Sequence, residues 1–354
     1  MKRAPTLGDV AALAGVSYAT VDRVMNARGK VTEKVRSSVL QAVSDLGYRR
    51  NVAAANLAQR RTYRYCFVIP EGTNSFFDRV CAIVGAVGPG AGSDRVDIRI
   101  SRIAAFDADA LDRCLTALSD TEIDGVAFVG TGDADPPAAI AALRAKGVAV
   151  LTMVSDMPGS ARDAYVGIDN VTAGRTAAGL ITLMLGGAPG RVLPVVGSLA
   201  ARDHAERLAG LCGTLALSHR ETAPLIEGRD RHDIVETEVR AALLADPDIA
   251  AIYSAGAGNA GLIRVIADLP ADRPRPCVVL HELLPHTRDG LEGGLIDIVI
   301  DQRPEEEVTQ TLALLRCLAD RQPLQTARQI VPAIYIRENL PDAAVPGLMK
   351  GSAA

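Results

Sequence analysis

The sequence contains no tryptophan and only five phenylalanines, and no run approaches the ~18 to 20 consecutive apolar residues of a membrane-spanning helix. A helical membrane protein is therefore excluded, and few large rings are on hand to stack on a ligand. The six cysteines, Cys66, Cys81, Cys114, Cys212, Cys277 and Cys317, form no C-x-x-C pair. That spacing excludes a zinc ribbon or a disulfide framework and reads as reduced core residues. No G-x-S-x-G elbow and no Walker loop occurs, so nothing supports catalysis through those motifs. Residues Met1 to Thr6 lead into a charged helix instead of an apolar signal core, so the protein is expected in the cytoplasm.

What is present is an ordinary globular composition: 354 residues, 48% hydrophobic and 23% charged, enough for two or three domains. The charge is uneven. Residues 1–64 hold 12 Lys+Arg against 4 Asp+Glu, a balance of +8, so the remainder carries -12 to reach the net charge of -4. A small basic head before an acidic body is the arrangement that favours phosphate contacts, because neutralising phosphates releases counterions.

Within the head, Thr6 with Asp9 three residues on reads as an N-cap, and Leu7, Val10, Ala11 and Ala14 share one helical face. Gly15 ends that helix. Ser17 caps a second, from Tyr18 to about Met25, with Val21 and Val24 inward and Tyr18, Ala19, Asp22 and Arg23 outward. Thr32 caps a third through Val35, Val39, Val43 and Leu46, ended by Gly47. Three such helices form a helix-turn-helix unit that presents its second helix to the major groove.

Thr6 to Asn26, with Val31 to Arg36, Leu46-Gly47-Tyr48 and Asn51 to Ala58, resembles the head of the lactose-repressor (LacI/GalR) family. The resemblance implies that Tyr18, Ala19 and Arg23 read bases, with Arg23 able to bond guanine bidentately. It places Thr6, Ser17, Asn26 and Asn51 among the DNA-binding positions and makes residues 51–62 a hinge helix whose Leu57 wedges into a base step. Asp22, where many relatives have Ser, and Gly8 depart from the family pattern.

The body alternates short Val/Ile-rich runs with helical stretches, the signature of parallel strands buried on both faces. The expected runs are 65–69, 96–100, 125–129, 148–152, 164–168, 191–196, 249–253, 276–280 and 296–300. The expected fold is α/β: an all-α head followed by two doubly wound parallel-sheet subdomains, resembling the type I periplasmic-binding-protein fold. The expected domains are 1–50, the hinge 51–62, and an effector domain 63–354. Its amino-terminal subdomain takes 63–166 and 302–323, and its carboxyl-terminal subdomain 167–301 and 324–345.

Open parallel sheets bind ligands beyond the carboxyl ends of their strands, so polar residues just after the runs are candidates. Asn74-Ser75-Phe76-Phe77 resembles the family's sugar-lining Asn-Pro-Phe-Phe. Asp133, Asp156 and Asp169 follow strands in the first half, and Glu282 and Gln302 follow strands in the second. By the same resemblance Arg207 joins them; where relatives place Asn-Asp after the seventh strand this chain departs, reading Ser254 to Asn259, and Asn259 is the candidate there. A surface or capping role is the alternative for each. Together they imply a small sugar or polyol, because carboxylates and an Arg bond hydroxyls strongly.

A second possibility lies in Gly256-Ala257-Gly258-Asn259-Ala260-Gly261, a G-x-G-x-x-G between strand and helix with Glu282 21 residues beyond it, as in dinucleotide folds. His281 and His286 are five apart with Pro285 between them, which does not make a zinc helix. No cofactor and no metal is expected. Ile334 to Ala354 holds Pro341 and Pro346 and no Leu heptads, so a homodimer without a tetramerising coiled coil is expected. The expected function is a transcription repressor acting on operator DNA.

Overall fold

The computed structural model describes residues 5–25, 31–48, 61–87, 95–132, 135–324 and 328–342. The expected contacts Asn26, Asn51, Leu57 and Asp133, and most of the hinge segment, lie outside the described residues.

The chain divides into two compact units, residues 1–61 and 62–354. In the first, α1 (Leu7–Ala14) starts in a capping box: Asp9 N donates to Thr6 Oγ1 at 3.3 Å and Thr6 N to Asp9 Oδ2 at 2.7 Å. Gly15, at φ 66°, ends it in a left-handed cap that an L side chain would resist. Ser17 Oγ accepts from Thr20 N at 3.2 Å and opens α2 (Tyr18–Met25). Thr32 occupies the N-cap of α3 (Glu33–Leu46) without a side-chain cap bond, a departure from the expected capping. Val10, Ala11, Val21, Val24, Val39 and Ala42 form the small core. Tyr18, Ala19 and Arg23 are exposed, because the two valines of α2 take its other face inward.

In the second unit, the elements in chain order are β1 (Thr62–Glu71), α4 (Ser75–Ala86), β2 (Arg95–Ala104), α5 (Ala108–Leu118), β3 (Gly125–Val129), α6 (Ala138–Ala145), β4 (Ala149–Met153) and β5 (Ala164–Val166). There follow α7 (Asn170–Leu185), β6 (Arg191–Val196), α8 (Arg202–Leu217), β7 (Ile226–Glu227), α9 (His232–Ala245), β8 (Ile249–Ser254), α10 (Asn259–Ala267), β9 (Cys277–His281), α11 (Pro285–Glu292), β10 (Ile298–Asp301), α12 (Pro304–Ala319) and β11 (Ala333–Tyr335).

Two sheets result. One is parallel throughout, in the order β2-β1-β3-β4-β5, and the other runs β11-β10-β9-β8-β6-β7. Every residue of β3, β4 and β9 is buried, which is why these strands are almost wholly apolar, Thr152 and His281 excepted. The chain crosses between the sheets after β5 and returns at Gln302–Arg303, where α12 packs on β3, β4 and α4. It crosses again after Ile330, which bridges to Ile168 and packs in the core of the first sheet.

Several expectations need correction. Thr62 belongs to β1, so the body starts one residue early. β5 stops at Val166 instead of Ile168, because Tyr165 folds its hydroxyl over Gly167 to lie 3.0 Å from the carbonyls of Val154 and Ile168. β7 and the antiparallel edge strand β11 were not expected, being only two and three residues long. Among the cysteines, all free, only Cys66 and Cys277 are fully buried. No helix among the described residues is long and apolar enough to cross a membrane.

α7 and α8 pack backbone to backbone. A Cβ on Gly174 would overlap the Arg207 carbonyl, and one on Gly210 would overlap that of Val171. Gly174→Ala therefore forces the helices apart, with an expected loss of ~1–3 kcal/mol in urea unfolding, the usual cost of overpacking. An unchanged unfolding midpoint would disprove this close approach.

Candidate functional site

The carboxyl ends of both sheets face one cleft enclosing about 910 Å³ of atom-free space, open mouth included. Its two walls differ in chemistry. The first sheet contributes Ile103, Phe106, Val129 and Val154 together with Phe76 and Phe77 from α4. Phe76 is buried in the core beneath, and its ring meets Phe77 edge-on at 5.4 Å. The second sheet contributes Asp203, His204, Arg207, Asp230, His232, Asn259, His281, Glu282 and His286, with Gln302 at the crossing. Four of the chain's five histidines thus line one cleft.

Arg207 is anchored in the floor with 2% of its surface exposed. Its Nε donates to Asn170 Oδ1 at 2.8 Å and its Nη1 to Ala255 O at 2.9 Å. The remaining Nη2 lies 3.9 Å from Asp203 Oδ2 and has no hydrogen-bond partner. Burial pushes the Asp203 carboxyl up, but His204 and Arg207 outweigh it and hold the group below the ordinary range. Glu282 follows β9 at φ 73°, a rare conformation for a residue with a Cβ. Its Oε1 accepts from Gln302 Nε2 at 2.7 Å, whereas Glu282 Oε2 and Gln302 Oε1 have no partner. Burial first, then Asp301, pushes the Glu282 carboxyl up to about 8. His281 bonds the Tyr253 hydroxyl at 2.8 Å, and burial keeps its ring well below the ordinary imidazole range.

Across the mouth, protein bonds protein. Asp230, at φ 56°, accepts from Asn74 Nδ2 at 2.9 Å, from Thr73 Oγ1 at 2.7 Å through its carbonyl, and from Ala257 N at 2.8 Å. Gly132 N donates to Ala200 O at 2.8 Å nearby. On the opposite side, Arg79 of α4 pairs with Asp301 at 2.9 Å and with Glu305 at 2.9 Å.

Of the expected effector residues, Asn74, Phe76, Phe77, Arg207, Asn259, Glu282 and Gln302 line the cleft. Asn74 spends its amide on Asp230 and on capping α4 through Phe76 N. Asn259 is consumed by the framework, accepting from Ser254 Oγ at 2.7 Å and donating to the carbonyls of Gly256 and His281. Two expectations are overturned. Asp156 stands outside the cleft lining: Arg162 chelates it at 2.6 Å through both oxygens, and Thr152 and Met157 N add bonds. Asp169 caps α7 through Thr172 N at 2.9 Å and is exposed on the crossing beside Arg328.

The glycine-rich segment serves packing. Gly256 lies against Gly197 and Asp230, Gly261 against the His232 carbonyl, and the Ala257 N–H that a phosphate would need is taken by Asp230. Among the described residues, no group of three or more His, Cys, Asp or Glu is arranged to hold a metal. Sequence reading gave no role to Asp203, His204 or Asp230 and did not count His232 among the site residues. The first two open a helix behind β6, where a strand-end search would have found them. The last two follow β7, too short to leave a pattern.

Residues 65–323 match the family described as periplasmic binding protein domain, and residues 6–51 match bacterial regulatory proteins, lacI family. The HTH-type transcriptional regulator DegA of Bacillus subtilis is 28% identical over 174 residues, 49% of this chain and 50% of that protein. The chain thus spans half the length of that curated relative and less of others it matches. GanP, a glucose-galactose binding protein from Geobacillus stearothermophilus, superposes with a TM-score of 0.70 at 21% identity, over 79% of this chain and 99% of that one. The complex of the transcriptional regulator CelR with cellobiose does so with a TM-score of 0.63 at 23% identity, over 94% and 99%. These two likenesses concern the fold. By its body, residues 65–323, the chain belongs to the periplasmic binding protein domain family, and residues 6–51 of its head match the family described as bacterial regulatory proteins, lacI family.

Proposed function

We propose that the protein is a sequence-specific transcription repressor, acting as a cytoplasmic homodimer, whose operator affinity is set by a small sugar or polyol in the cleft. One observation carries this reading: buried polar atoms without protein partners, Arg207 Nη2, Glu282 Oε2 and Gln302 Oε1, belong to residues lining a cleft whose other wall includes Phe76, Phe77 and Phe106. A buried polar atom left unpaired costs ~1–3 kcal/mol, and ligand hydroxyls would recover it. The exposed Tyr18, Ala19 and Arg23 on α2 support DNA reading, and the glucose-galactose binding protein GanP and the complex of CelR with cellobiose support the ligand class.

Ligand would act by differential affinity. The Asp230 bonds to Thr73 and Asn74 must break for the mouth to open, so a molecule held by both walls favours the closed arrangement. Residues 51–62, with Leu57, would carry the change to the head, with ~1–3 kcal/mol of coupling as the usual scale.

The test begins with a thermal-shift screen against pentoses, hexoses, polyols and their phosphates, with NAD and NADP included. A ligand at about 100 times its Kd adds ~2.7 kcal/mol of stability. Operator fragments selected from a random library are then titrated with and without the hit. Operator affinity should change with the ligand, and Arg23→Ala should lose ~1–3 kcal/mol of discrimination at one base. Unchanged operator affinity overturns the regulatory reading, and a shift by NAD or NADP alone overturns the sugar.

A further inference from the structure

We infer that the cleft ligand carries a protonated amine on its polyol or sugar frame, seated on the bare acceptors Glu282 Oε2 and Gln302 Oε1. The inference rests on the reading of the cleft as an effector site and adds the ligand's charge. Glu282 is 6% exposed and Gln302 2%, both line the cleft, and each keeps one oxygen without a partner. Two unpartnered acceptors on a pair of residues bonded to each other call for a group with several N–H donors. An ammonium has three, and its bond to a carboxylate is charge-assisted.

The surroundings are short of positive charge. Behind Glu282, Glu307 of α12 is fully buried with both carboxyl oxygens unpartnered. Asp301 of β10 and Asp203 of α8 also act on this pair. Against these four acids stand Arg207, Arg79 and, beside Asp203, His204. Arg207 faces Asp203, and Arg79 of α4 is shared between Asp301 and Glu305. Among the histidines His204 acts on Asp203, and burial disfavours the charged form of both His281 and His286, so none is left over for Glu282 and Glu307. An unliganded site meets this deficit by holding protons on the buried carboxyls. A neutral sugar leaves that arrangement as it is. An amine replaces a proton, with its hydroxyls left for Arg207 Nη2 and its apolar face for Phe77 and Phe106.

The experiment uses the full chain and matched sugars: D-glucosamine, D-galactosamine and D-mannosamine against their parent hexoses and N-acetyl forms, and 1-amino-1-deoxy-alditols against the alditols. Thermal shift ranks them, and calorimetry at about pH 7.5 in phosphate and in Tris reads proton exchange as a buffer-dependent enthalpy. At least one amine should bind about tenfold or more tightly than both its hydroxyl and N-acetyl counterparts. Its binding should release a proton from the site. Glu282→Gln, which keeps the shape and the bond to Gln302, should erase both the preference and the release. A parent sugar that binds as well as its amine overturns the inference and leaves the effector reading standing. An amine preference without proton release, or one that survives Glu282→Gln, removes the charge from Glu282 and also overturns it. If no member of either class stabilises the protein, inference and effector reading fall together.

Discussion

Arg207→Ala unfolds the body at a lower temperature and abolishes its response to ligand. The guanidinium serves three buried partners, the Asn170 amide oxygen, the Ala255 carbonyl and the Asp203 carboxylate. Alanine strands all of them in a dry floor, and removing one member of a buried pair typically costs ~3–5 kcal/mol. For a chain of this size that corresponds to a fall in Tm of roughly 6–15 °C. The Asp203 carboxyl, no longer held down by Arg207, should rise toward the range that burial alone would impose. Calorimetry on the unliganded variant checks the first effect. A Tm within about 2 °C of the parent would show that the floor does not depend on this residue. The ligand found for the parent protein checks the second: a destabilised variant that still shifts fully on ligand addition would leave Arg207 as framework only.

The second large effect is a loss of stability between pH 6.5 and 8. Glu282 has its folded carboxyl pushed up to about 8 by burial and by Asp301, above its ordinary 4.5. Its contribution is complete below the unfolded value and is lost as pH rises through the folded one, because the unfolded chain gives up its proton first. Glu307, buried and beside Glu282, works in the same direction. His281 and His286 work against them at lower pH: burial depresses both below 6.5, so their contribution is lost as pH falls. The effects offset one another between about 4.5 and 6.5, and only the carboxyls act above that. Over this upper window one proton is worth about 2 kcal/mol. Glu282→Gln should flatten the urea-unfolding profile by that amount and be the more stable protein at pH 8. A parent profile already level from 6.5 to 8, or one that the variant leaves unaltered, would refute the assignment.

How far the site could be read from the chain is clearest in pairs of similar residues. Asp156 and Glu282 are both acids just past a buried strand. One is locked by Arg162 six residues away, and the other borders the cleft with an oxygen free. Nothing local separates them, because the difference lies in which neighbours the turn brings within reach. Asn259 was legible by position, but its amide is spent on Ser254, Gly256 and His281. Asp230 was not legible at all. It follows a two-residue strand with no periodicity, and its partner Asn74 lies 156 residues away.

The sequence by itself determined the elements whose causes are local. The helices of the head follow from the Thr6–Asp9 box, the Ser17 cap and the left-handed glycines Gly15 and Gly47. The main strands follow from Val/Ile runs whose burial on both faces leaves no polar side to mark. Only the tertiary structure decided which side chains meet. The cleft exists because two sheets, joined by crossings after β5, at Gln302 and after Ile330, turn their carboxyl ends toward each other. That convergence sets the partners of Arg207, the closure at Asp230 and the charge shortage around Glu282 and Glu307. Each is an interaction at a few ångströms between residues far apart in the chain, and short-range electrostatics and desolvation depend on distance in space, which sequence spacing does not encode.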